Sequence, residues 1–164
     1  MTEKPSPEEV VRWQRRLASQ ANNRAWSLSE QPVRTAAEDE EMLNAAHAAM
    51  YFWSIVGDTN TQTHASQLLA HTYAILKQPK PASQYLDKCL PVLAGESAKP
   101  WERALAHAVA ANVASASGNA ADHTRHYQEA TRLTAALENA EERAIIEATM
   151  RVLPVPASVS ASVD

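Results

Sequence analysis

The sequence predicts an all-α domain, and three observations carry that prediction. Alanine supplies much of the apolar content, as in Ala45-Ala46-His47-Ala48-Ala49 and Ala108-Val109-Ala110-Ala111, while glycine occurs only three times in 164 residues. Alanine is the best helix former, and glycine is avoided in helices more than any residue but proline. Apolar residues recur at spacings of three and four, and no segment alternates like a strand between hairpin turns.

The elements follow in order. Ser6-Pro7-Glu8-Glu9 reads as a helix start, with Ser6 as cap and Glu9 closing a capping box. Val10, Trp13, Leu17, Ala21, Ala25 and Leu28 then form one face of a helix to about Ser29, before Pro32 interrupts it. Thr35 with Glu38 opens a second helix, which runs to about Val56 and stops at Gly57-Asp58. A third spans about Asn60 to Gln78, where Pro79 and Pro81 end it. Pro81 opens a fourth, to about Leu93. Pro100 opens a fifth, ending at Gly118-Asn119. A sixth covers about Ala120 to Leu137, and Asn139 with Glu142 caps a seventh to about Val152. Residues 1–153 therefore read as one domain, and 154–164, rich in proline, serine and valine, as a disordered tail.

Short connections make neighbouring helices antiparallel, which leaves a bundle or a stack of helical hairpins. An internal echo favours the stack. The third and fourth helices carry Leu69-Ala70, Tyr73, Ala82, Leu86 and Cys89, and the next pair answers with Ala110-Ala111, Gly118, Tyr127 and Ala130. This spacing resembles the tetratricopeptide repeat over about half the chain. It departs from that family in its 41-residue offset, in Ala70 where glycine belongs, and in His123 where a small residue belongs. The resemblance implies a right-handed stack of helical hairpins with one concave groove, capped by the first helix pair and the seventh helix. Ala45-Ala46-His47-Ala48, followed by Trp53 and Val56-Gly57, also resembles a helix of small bacterial proteins of unassigned function.

The net charge is −4, with both signs mixed along the chain, which argues against a nucleic-acid partner. Arg12, Arg15 and Arg16 fit the solvated face of an amphipathic helix. A single cysteine, Cys89, fits a reducing compartment and reads as an inert buried thiol. Met1 to Glu9 has no apolar signal-peptide core, and no stretch reaches the ~18 apolar residues that span a bilayer. The expectation is a soluble cytoplasmic protein without membrane contact.

Phosphate loops, nucleophile elbows, His-Glu-x-x-His and paired cysteines are all missing. What remains is polar helix face. Glu40, Asn44, His47, Tyr51 and Ser54 share one side of the second helix, and His64, Gln67 and His71 share one side of the third. In a tetratricopeptide-like hairpin the latter face would line the groove. Counting ~1.5 Å per residue from the intervening turn sets His47 and His71 at similar height, with His107 reaching the same layer. Three imidazoles with an open position could hold a divalent metal such as zinc, near Glu40 or Asp87. The plainer reading of each is a partly buried, hydrogen-bonded side chain. His123 and His126 read as a solvated face, Trp13 and Trp53 as core, and Trp26 and Trp101 as helix-end anchors or interface residues.

The leading expectation is therefore a binding or scaffolding module. Its groove, lined by Asn44, His47, Tyr51, His64, Gln67 and His71, takes a protein, peptide, partner helix or small molecule and needs no cofactor. A homodimer that covers the exposed hairpin face is compatible with this. The competing expectation is a metal- or histidine-dependent enzyme centred on His47 and His71, with His107 as a third ligand.

Overall fold

The computed structural model describes residues 4–157, which contain seven α-helices and no strand. They are α1 (Pro7–Ser29), α2 (Ala36–Val56), α3 (Thr59–Ile75), α4 (Pro79–Leu93), α5 (Pro100–Ala116), α6 (Ala120–Ala135) and α7 (Ala140–Arg151). The anticipated caps form. The Ser6 hydroxyl accepts from the Glu9 amide while Glu9 Oε2 accepts from the Ser6 amide, and Thr35 and Glu38 repeat the pattern. Asn139 Oδ1 accepts from the Glu141 and Glu142 amides.

Three helix ends differ from expectation, each for a local reason. Asp58 caps α3 through a 2.8 Å bond from the Thr61 amide, so the helix begins at Thr59. It ends at Ile75 because Lys77 turns into the left-handed region, φ 57°, and the Lys77 and Gln78 amides fold back onto the Ala74 and Tyr73 carbonyls. α4 then starts at Pro79, since both prolines fit a first turn whose amides have no helical partner.

The pairs α1/α2, α3/α4 and α5/α6 pack as antiparallel hairpins. The odd-numbered helices also pack in succession, α1 on α3, α3 on α5 and α5 on α7, and α2 leans on α3 as α4 does on α5. α3 and α5 are consequently covered on nearly every side. Ala65, Ala70 and Ala74 on α3, and Ala104, Ala108 and Ala111 on α5, are sealed, so their backbones can approach closely. Of the positions that carry the repeat echo, Leu69, Ala70, Ala82, Cys89, Ala110, Ala111 and Ala130 are buried, Tyr73, Leu86 and Tyr127 are half-buried, and Gly118 is exposed.

The 41-residue offset is structural. α5 starts and ends 41 residues after α3 (100 − 59 and 116 − 75), and α6 starts 41 after α4 (120 − 79). The turn that closes α5 repeats the turn that closes α3, with Gly118 (φ 72°) in the place of Lys77. Its Gly118 and Asn119 amides return to the Ser115 and Ala114 carbonyls.

Trp13, on the stripe expected to be core, is 53% exposed, because α1 begins the series of odd-numbered helices and, among the described residues, no helix covers that side. Of the stretch expected to be a disordered tail, Pro154 accepts a 2.8 Å bond from His123 Nε2 and Pro156 is buried; 158–164 lie outside the described residues.

The equivalent turns give a paired prediction. A left-handed backbone costs a side-chain-bearing residue about 1 kcal/mol relative to glycine. Lys77→Gly should therefore raise stability by about 0.5–1 kcal/mol and Gly118→Lys lower it by a similar amount in urea denaturation. Equal effects of one sign at both positions would contradict the equivalence.

Candidate functional site

α3 presents His64, Gln67 and His71 on one face, at steps of three and four. Each histidine is stacked on a tryptophan of a different neighbouring helix. His64 lies against Trp101 of α5, with ring centres 5.7 Å apart and planes 11° apart. His71 lies against Trp26 of α1, at 5.4 Å and 26°. Gln67 sits between the two stacks. Seven residues separate the histidines, which is ~10 Å along the helix axis.

Hydrogen bonds orient both imidazoles. His64 Nε2 donates to Glu102 Oε1 at 3.0 Å, and the other oxygen of that buried carboxylate accepts from the Lys99 amide at 2.8 Å. His71 Nδ1 lies 3.2 Å from Asn112 Nδ2 of α5. An amide nitrogen only donates, so Nδ1 is the acceptor and the His71 proton resides on Nε2. That Nε2 is buried without a partner among the described residues, and so are Gln67 Nε2 and Oε1. Gln67 is 1% exposed. A buried side-chain amide left unpaired costs about 1–3 kcal/mol, and native structures hold few such groups.

Gln67 borders a cleft of about 490 Å³. Trp26 of α1, His64 of α3, Trp101 and Leu105 of α5 and Ile145 of α7 form its walls, so all four odd-numbered helices contribute. Asn22, Asn23, Ser27 and Glu30 line the α1 side. Burial pushes the Glu30 carboxyl upward, partly offset by Arg151. Asn112 lines a second, smaller hollow of about 170 Å³, so the Trp26–His71–Asn112 series links the borders of the two spaces.

The histidine layer does not assemble. His47 Nε2 meets the Tyr73 hydroxyl at 2.7 Å, and its ring stands edge-on to both Tyr73 and Tyr85, themselves stacked at 5.9 Å. Tyr73 and His71 are two residues apart, about 200° around the helix, so they serve opposite sides of α3. Equal height therefore brought no proximity. His107 turns to α6, where its Nδ1 lies 2.9 Å from Nδ1 of His126. Arg125 donates to His126 Nε2, which sets the His126 proton on Nδ1, pointing at His107. His47, His71 and His107 thus occupy three separate environments. Among the described residues no group of three or more His, Cys, Asp or Glu is placed to hold a metal ion.

Of the six expected groove residues, His64 and Gln67 line the cleft and His71 supports its wall, whereas His47 packs among tyrosines. Asn44 and Tyr51 are exposed on α2 and do not line the cleft. His123 and His126 are buried, contrary to the solvated face expected, because α6 faces Pro154 and His107 there. Cys89 is a buried thiol, pushed up to about 12 by burial, as an inert packing residue should be. The residues missed were Asn112, Leu105, Ile145 and the polar α1 side, Asn22, Asn23, Ser27 and Glu30. Trp26 and Trp101 were visible as tryptophans at helix ends, without a sign that each would meet a histidine of α3.

Acid should weaken this arrangement. Burial, assisted by Arg34, pushes the His71 pKa down to about 3. In the unfolded chain the group titrates near 6.5. The unfolded state therefore binds the additional proton between those values, and the neutral ring's contribution is complete above about pH 6.5 and lost as pH falls toward 3. Urea denaturation should show this residue costing about 3 kcal/mol between pH 7 and pH 4. His126, pushed down to about 4, acts in the same direction, so a His71→Asn variant should flatten the dependence without abolishing it. An unchanged slope in that variant would show that His71 does not control the loss.

Compared with family models, with curated proteins and with solved structures, the chain matches none of them.

Proposed function

We propose that this protein is a binding module whose cleft between α1, α3, α5 and α7 receives a small molecule or a single projecting side chain of a partner. The observation that carries this reading is the Gln67 amide, sealed from bulk solvent, unpaired at both ends and bordering the cleft. Binding sites of small molecules are largely apolar hollows of ~300–1,000 Å³ with a few oriented polar groups. A cleft of about 490 Å³ with two indoles, a leucine and an isoleucine around one free amide fits that description. It is too small for a whole partner helix. The resemblance to tetratricopeptide modules, which bind along the layer formed by the first helices of their hairpins, supports the choice of face by analogy.

The enzymatic alternative centred on His47 and His71 finds no support, since the two rings serve opposite sides of α3. For the described residues, no helix is long and apolar enough to cross a membrane.

A fragment screen read on the four indole N–H resonances tests the proposal. Fragments that bind should move the signals of Trp26 and Trp101 and leave those of Trp13 and Trp53 in place. A library that moves neither cleft tryptophan would sink it. The amide should also reveal itself through stability. If Gln67 is kept for binding, Gln67→Leu removes an unpaired buried amide and should stabilise the fold by about 1–2 kcal/mol in urea denaturation. A loss of stability would mean that the scaffold requires the glutamine.

A further inference from the structure

Resting on that reading, we infer that the ligand is a planar, uncharged cyclic amide, the lactam edge that a pyrimidine base such as uracil presents. A side-chain amide carries its N–H and C=O side by side in one plane, and both are unpaired in Gln67. To satisfy both at once, a ligand must offer an acceptor and a donor on the same edge. A peptide bond of a partner chain is trans, so its N–H and C=O point in opposite directions and only one can reach Gln67. A lactam is held cis by its ring and offers both.

The walls select for a flat ring. Trp26 and Trp101 each lie against an imidazole, which fixes their planes on either side of Gln67. Indoles in fixed planes suit stacking on a planar ligand, as bases stack on aromatic side chains. Charge then narrows the class. Neither lysine nor arginine lines this cleft, while Glu30 lines it and Glu102 stands behind His64. A phosphate would meet carboxylates with no cation in the lining, and Arg151, which acts on Glu30, is already opposed by that carboxylate, so a free base or nucleoside fits better than a nucleotide.

The test uses the full chain, with the Trp26 and Trp101 indole signals as readout and uracil, 1,3-dimethyluracil, uridine monophosphate and N-methylacetamide as probes. Uracil should bind saturably. Dimethyluracil, which keeps the ring and loses both N–H donors, should bind at least tenfold more weakly, as should uridine monophosphate and the trans amide. Gln67→Leu should weaken uracil at least tenfold, with circular dichroism and urea denaturation confirming that the variant is folded. Equal binding of uracil and dimethyluracil, or undiminished binding to Gln67→Leu, overturns the ligand class and leaves the cleft reading standing. So does a screen in which other fragments move the two indoles and uracil does not. If no compound moves them, the cleft reading falls as well.

Discussion

The structure depends on α3 being enclosed by helices on nearly all sides. A helix in that position normally turns apolar all round, because each polar atom it carries must find a partner in the interior. α3 meets this requirement over much of its surface with alanine and leucine, and two of its hydroxyls return to its own carbonyls, Thr63 to Thr59 and Ser66 to Gln62, while the buried Thr72 hydroxyl has no partner among the described residues. Its inner face carries the larger polar groups. There His64 and His71 are tied to Glu102 and Asn112 of α5 and pressed against tryptophans, and Gln67 alone has both ends of its side chain free.

The two histidine–tryptophan stacks tie together helices that are far apart in sequence. Trp26 closes the gap between α1 and α3, and Trp101 closes the one between α3 and α5. Imidazole suits both places. It is flat enough to stack on indole and carries two nitrogens, one of which can bond across to the next helix. Stacking and hydrogen bonds on neighbouring helices, rather than on loops, hold the two indoles at the cleft beside Gln67. That is the condition under which one additional amide can discriminate between ligands.

Much of the scaffold was legible in the sequence because its signals are local. Capping boxes at Ser6 and Thr35, prolines at helix starts and Gly118 at a helix end act within one turn, and the chain obeys them. The inner face of α3 was legible too, since helical periodicity alone groups His64, Gln67 and His71. Proximity across helices was not. Counting residues from the turn gives the height of His47 and His71, while the direction of each ring depends on how α2 and α3 are rotated about their axes. That rotation follows from packing against α1, α4 and α5, which no local pattern records. The same gap hid the His107–His126 pair and the partnership of His71 with Asn112. Trp13 failed in the opposite sense, because an apolar stripe predicts a buried face only where a neighbour exists to cover it.

The internal repeat separates what the scaffold requires from what it merely permits. Adding 41 to the inner-face positions of α3 gives Leu105 for His64, Ala108 for Gln67 and Asn112 for His71 on α5. Asn112 is thus the counterpart of the histidine it bonds, so one repeat supplies the donor to Nδ1 of the other. Ala108 is fully buried in an apolar cluster with Ala130 and Leu153 and leaves no polar atom to satisfy. At the matching point of an equivalent helix, a methyl group is therefore sufficient for a sealed interior. Gln67 adds two unpaired polar atoms and a bulkier side chain where alanine serves the fold. Packing gives no reason for it, whereas the cleft beside it does.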